Sequence, residues 1–326
     1  MESFPTRINR LEDGMGKHRR RSLTQQDSSD DAFSSRKVTS QGDYTVHIDA
    51  GNLKVLDTRP PLLRYLRQLW GRREYIWAES TAGTLRVDKD FKLGRLWLIF
   101  QPLCDAAIYI IMFGLLLKTS RGIDNFIGYV TIGIVYFGFI NRLLLLGSGL
   151  LRTQKNMIVS FKFPRAAVPL SKALSQGIEC IPAACVAILV GLIAQWDHPV
   201  QWTLLLVPIA YIGIILFSTG LLLITARITA FLPDLKPLLA LISRFWLYGS
   251  GVFYSIDTFI NHPILVIVMK ANPAFVYLSA VRDLALYGNI PSVSSWIQMV
   301  AWSLGTLIFG ILFFWQAEER YVRALQ

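Results

Sequence analysis

Between about Arg95 and Trp315 the chain carries six apolar runs, each close to the ~20 residues that a helix needs to cross ~30 Å of hydrocarbon. They are Leu96–Leu117, Phe126–Leu151, Val168–Ala194, Trp202–Ala226, Leu238–Ile256 and Ser295–Trp315. A seventh stretch, 264–288, is apolar but broken: Asn272-Pro273 interrupts it and Arg282-Asp283 sits inside its second half. Neither half is long enough to span, which points to a re-entrant hairpin whose backbone is satisfied by protein or by a wet cavity. The expected fold class is an all-α integral membrane protein. It has six transmembrane helices, an N-terminal interfacial amphipathic helix and a re-entrant hairpin before the last span.

Composition agrees: 53% of residues are hydrophobic and 17% charged. A net charge of +11 can mark a nucleic-acid binder. Here the basic residues either flank the apolar runs, where the positive-inside rule accounts for them, or lie in the polar N-terminal region, so no nucleic-acid partner is expected. Cys104, Cys180 and Cys185 all lie in apolar runs, without metal or disulfide spacing. No cleaved signal peptide is expected at the start of this sequence. Residues 1–58 are polar and aperiodic and are expected to be a disordered cytosolic tail. Within 59–95, Leu66, Trp70 and Trp77 recur at helical spacing with Arg72 and Arg73 on the other side. That pattern suits a helix lying in the membrane interface, or one packed on a cytosolic partner. A polar linker over 78–95 then leads into the transmembrane domain, 96–326.

An even number of spans puts both termini on one side. With that side cytosolic, its loops after the first span hold eight basic residues (Arg152, Lys155, Lys162, Arg165, Arg227, Lys236, Arg320, Arg323) against four outside (Lys118, Arg121, Lys270, Arg282). Both termini are therefore expected in the cytosol of a multi-pass cell-membrane protein. No phosphate-binding loop and no H-E-x-x-H motif is present, so no energy source, cofactor or metal is expected in this chain. Four ionisable groups fall inside runs: Asp105, Arg142, Glu179 and Arg244. Such groups cost a few kcal/mol each and need partners. A Glu179–Arg142 pair is expected, as a structural ion pair, a polar wall for a sugar headgroup, or a proton relay. Phe245, Trp246, Tyr248, Phe253 and Tyr254 crowd the fifth run and its exit, either as interfacial packing or as a sugar-stacking path.

The connector after the second run is basic, aromatic and proline-punctuated: Asn156-Met157-Ile158-Val159-Ser160-Phe161-Lys162-Phe163-Pro164-Arg165, then Pro169-Leu170-Ser171. It reads as a segment on which another protein pushes. Together with Leu93-Gly94-Arg95-Leu96-Trp97, Gln101-Pro102-Leu103, Pro233-Asp234-Leu235 and Asn272-Pro273, it resembles the ABC-2 type permeases that export lipid-linked polysaccharides, including O-antigen, teichoic-acid and galactan exporters. The resemblance covers about 60–326 and implies a half-transporter. Two copies would form the pore. Two copies of a separate ABC ATPase, carrying the ATP and Mg, would dock on Met157, Phe161, Lys162, Phe163, Pro164 and Arg165, with Lys162 and Arg165 meeting its acids. Asn272, Pro273, Arg282 and Asp283 would form an outer gate hairpin. The remaining partners would be membrane lipids and a lipid-linked glycan. Two other classes stay open: an ABC-2 drug or lipid exporter, and a membrane-embedded glycan-synthesis enzyme.

Overall fold

The computed structural model describes residues 60–86, 94–112, 123, 125–160, 164–197, 199–256 and 263–325. The expected tail, the end of the first run and the Phe161, Lys162 and Phe163 positions lie outside the described residues. Every regular element among the described residues is helical. In chain order these are α1 (Leu62–Gly71), α2 (Arg73–Arg86), α3 (Gly94–Ile110), α4 (Phe126–Gly147), α5 (Leu150–Thr153), α6 (Lys155–Ser160) and α7 (Ala167–Ile193). There follow α8 (Val207–Phe231, entered through a 3-10 turn at Trp202–Leu206), α9 (Leu235–Tyr248), α10 (Pro263–Ala271) and α11 (Pro273–Arg282, prolonged by a π-helical turn Asp283–Tyr287). The last two are α12 (Val293–Gln316) and α13 (Arg320–Leu325).

Among the described residues four helices, α4, α7, α8 with its entry turn, and α12, are each long and apolar enough to cross a membrane. The pair α10–α11 is bent by 79° at Asn272 and qualifies as a fifth only if its halves are taken together. The fifth apolar run differs from the expected unbroken span. Its helix stops at Tyr248, and Gly249, Ser250 and Gly251 turn the chain, with Gly251 at φ 60°. The 14 residues of α9 rise only about 21 Å, short of a bilayer core. The expected linker over 78–95 differs too, because α2 stays helical to Arg86. It packs along α7, where Lys172 and Glu79 approach to 3.8 Å and Ser80 is buried.

The bundle is built around α4, which touches α3, α7, α8, α9 and α11 and is buried on most of its circumference. Lipid tails are as apolar as leucine, so close backbone packing has to hold such helices together. The contact between α8 and α12 shows how. A Cβ on Gly220 would overlap the Thr306 carbonyl, and one on Gly310 would sit 2.7 Å from the Gly220 oxygen. The Ser303 hydroxyl donates to the Gly213 carbonyl (3.0 Å) across the same seam.

Chain direction sorts the two ends. Asn125, before α4, bonds to Gly191 near the end of α7, and Thr203, before α8, bonds to Leu284. At the other end Gly149 meets Thr229, Arg227 meets Phe313, and the Trp315 indole donates to the Pro60 carbonyl (3.1 Å). The described chain therefore starts and finishes at one end of the bundle, the end that also carries α5, α6 and α13.

Candidate functional site

At the end shared by α1 and α13, a single carboxylate gathers three chain segments. Glu318 follows α12 and is buried. One of its oxygens accepts from the Tyr65 hydroxyl of α1 (2.9 Å), the other from the Arg165 backbone N–H (2.8 Å). The Arg165 guanidinium donates to the Glu318 carbonyl and lies 3.8 Å from its carboxylate. The Tyr65 oxygen in turn accepts from the Ala166 N–H (3.2 Å). Burial pushes the Glu318 carboxyl above its ordinary range, outweighing the opposite pull of Arg165 and the Tyr65 bond. The segment leading into α7 is thus clamped to both described ends of the chain. Pro164 is buried beside it, Ile158 is buried on α6, and Met157 accepts a long contact from the Tyr75 hydroxyl (3.6 Å). Arg165, expected to face a partner's acids, is instead engaged by this chain's own Glu318.

The predicted interfacial residues lie beside this clamp. Tyr65 and Leu69 turn into the bundle, while Leu66, Trp70, Arg72, Arg73 and Trp77 remain exposed. The helix breaks at Arg72, and the Arg73 guanidinium stands 5.8 Å from the Trp70 ring centre. Under α1 and α2 an apolar groove of about 1070 Å³ runs between Trp70, Trp77, Leu174, Ile215 and Leu307.

The hairpin residues are pinned at two points. Asn272, at the bend between α10 and α11, uses its whole carboxamide. Its oxygen accepts from the Trp246 indole (2.9 Å) and the Ala274 N–H (3.1 Å), and its nitrogen donates to the Gly249 carbonyl (3.0 Å) and the Ser250 hydroxyl (3.1 Å). Pro273 opens α11, where a missing N–H costs nothing. Arg282 is 2% exposed and donates to the carbonyls of Tyr129, Gly251 and Val252 at 3.1–3.2 Å. Its guanidinium packs 3.4 Å from the Tyr129 ring centre, in a slot that exists because residue 133 is glycine. Among the described residues no carboxylate lies within ion-pair distance of it. Asp283 follows on the π-helical turn.

Asp105 and Arg142 line one cavity of about 530 Å³ between α3, α4 and α7, with Gln101, Asn141, Tyr136 and Tyr211. The Asn141 side-chain oxygen is buried there without a hydrogen-bond partner among the described residues. The expected Glu179–Arg142 pair is not among the ion pairs of the described residues. Glu179 accepts from Ser175 (2.8 Å) and Gln176, one turn back on its own helix, which satisfies it locally. Arg244 is exposed on α9. The five aromatics divide. Phe253 is inside the core, 1% exposed, and Trp246 is half-buried against Phe137 and Phe217. Phe245 and Tyr248 face outward, and Tyr254 donates to the Tyr248 carbonyl (2.8 Å).

The long apolar helices, with a cavity lined by Asp105 and Arg142 between α3, α4 and α7, suit a multi-pass membrane protein. The sequence profile of the ABC-2 type transporter family matches residues 75–286, and the chain belongs to that family. It is a permease, the membrane subunit of an ABC transporter, and the family implies an ABC ATPase as partner. Two proteins of Klebsiella pneumoniae, each named O-antigen export system permease protein RfbA, are similar to it. One is 22% identical over 202 residues, 62% of this chain and 76% of the relative. The other is 24% identical over 169 residues, 52% of this chain and 64% of the relative.

Proposed function

We propose that this chain is the permease subunit of an exporter that moves a lipid-linked polysaccharide outward across the cytoplasmic membrane. The clamp at Glu318 is the observation that carries the reading. It ties the segment entering α7, α1 and the end of α12 into one mechanical unit, so a push on that segment from below reaches the bundle without slack. The pushing subunit is a separate ABC ATPase in two copies, which hold the ATP and Mg2+. This chain hydrolyses nothing and works as a homodimer. Six crossings are supported by chain direction. The chain must climb from α2 to the start of α4, and again from the end of α8 to the start of α12. α3 makes the first climb, and α9 with the turn after it makes the second. The hairpin α10–α11 then re-enters from the far side, with Asn272 at its apex beside Trp246. Both ends of the chain lie in the cytosol, α1 lies in the interface with its arginines toward headgroups, and Asp105 with Arg142 offers a polar inner wall. The O-antigen relatives support a glycan as cargo.

The test is co-purification from the native membrane in mild detergent. A stoichiometric ABC ATPase is expected with the wild-type chain and is lost from a Phe161→Ala/Phe163→Ala variant of unchanged melting temperature, while lipid-linked glycan accumulates in the inner leaflet. A wild-type chain that purifies alone and folded, or a variant that keeps both ATPase and export, overturns the docking. Export of glycan undiminished after depletion of the chain overturns the cargo.

A further inference from the structure

At the far end of the bundle, opposite the Glu318 clamp, a cavity of about 550 Å³ opens between the α7–α8 connection and the π-helical turn after α11. This size is within the roughly 300–1,000 Å³ of small-molecule sites. Its frame is fixed by hydrogen bonds. The Asn125 carboxamide donates to the Gly191 carbonyl (2.8 Å) and to Gln195 (3.1 Å), and Gln195 donates to the Leu286 carbonyl (3.2 Å). Gly288 closes the floor at φ 63°, and a Cβ there would overlap the Gln201 carboxamide. Within this frame Asp197, Gln201 and Asn289 present side chains that have no hydrogen-bond partner among the described residues. Trp196, 82% exposed, and Tyr287 add two aromatic faces at the rim.

We propose that this cavity is a carbohydrate subsite, and that it takes a neutral glycan rather than a phosphate-bearing one. Carboxamide and carboxylate groups match vicinal hydroxyls, which donate and accept at once, and an indole or phenol face suits the C–H face of a pyranose ring. Among the described residues the lining contains no lysine or arginine and one carboxylate, Asp197, which repels a phosphodiester. It lies beside the end of α11, where the pinned hairpin leaves the bundle, which suits capture of a polymer as it emerges. The inference rests on the polysaccharide reading and narrows it, from lipid-linked polymers at large to those with uncharged sugars.

The experiment uses the full chain with its ATPase in nanodiscs. Saturation-transfer difference NMR is recorded with short neutral galacto-, gluco- and manno-oligosaccharides, and separately with an oligo(glycerol phosphate). At least one neutral set is expected to bind and the polyol phosphate not to. Asp197→Ala/Gln201→Ala and Trp196→Ala each weaken binding about tenfold at unchanged melting temperature, while Trp302→Ala, an exposed tryptophan elsewhere, does not. Binding of no neutral sugar, equal or tighter binding of the polyol phosphate, or variants that bind like wild type each overturn the subsite. The cargo reading fails separately: if the cavity binds sugar but depletion of the chain leaves glycan export intact, the subsite stands and the cargo assignment falls.

Discussion

Arg282 is a cation held by carbonyl oxygens. Four donated hydrogen bonds and the Tyr129 face replace the carboxylate that a buried arginine usually finds. Removing the side chain takes the donor from the Val252 carbonyl, worth roughly 1–3 kcal/mol when buried and unpaired, while the Gly251 carbonyl keeps the Tyr129 hydroxyl. Arg282→Met is therefore expected to lose about 1–3 kcal/mol by the same accounting. Thermal melting in detergent reads the loss, and hydrogen exchange should rise at 249–252. Arg282→Lys, which keeps the charge but not the fork, should fall between the two. Unchanged exchange in Arg282→Met would remove the pin. Glu318 makes the opposite trade, a carboxylate held by a phenol, an amide and a guanidinium. Its pKa is raised in the folded chain, so the folded state holds its proton more tightly than the unfolded state does. The stabilising contribution is complete below the ordinary carboxylate value and fades as pH climbs through the raised folded value. Relative to wild type, Glu318→Gln should lose this downward slope of melting temperature with pH across that window. Parallel profiles for the two proteins would show that burial does not govern this carboxyl.

Helices in this bundle meet where side chains are absent. The α8–α12 seam depends on Gly220 and Gly310, whose missing Cβ atoms let the backbones touch. Gly220→Ala forces the seam apart and is expected to cost about 1–3 kcal/mol, the range for overpacking a filled interior. Gly305→Ala, on α12 but facing open space, should leave the melting temperature level or slightly higher. Equal effects at the two positions would mean that the seam is not where α12 is held. The elements also show what sequence could and could not announce. The runs that became α4, α7, α8 and α12 were legible because twenty-odd apolar residues in water have no other home. The early stop of α9 had a signal inside its run, Gly249-Ser250-Gly251, which hydropathy overrode. The bend at Asn272-Pro273 was readable from proline chemistry, but the four bonds that fill the Asn272 carboxamide were not.

Across the whole molecule, the sites hardest to read were those joined over long sequence distance. Glu318 stood in the sequence as one of two adjacent acids in a polar tail. Its partner Tyr65 lies 253 positions away and Arg165 lies 153 away, so no local spacing could mark it. Glu179 erred the other way. Its partners Ser175 and Gln176 are one helical turn back, and the i, i+3 and i, i+4 spacing offered them before any neighbouring span did. The far-end cavity draws on Asn125, on the segment around Gln195 and on Asn289, and only folding brings these together. The Glu318 clamp also bears on synthesis. A ribosome makes Tyr65 long before Glu318, so this end of the bundle stays unlatched until α12 and the turn after it have been made. A chain that stops before Glu318, or in which α12 stalls, is expected to leave the entry to α7 unlatched and open to proteolysis. The latch thus orders assembly in time: α1 and the entry to α7 are tied together only after α12 has brought Glu318 to them.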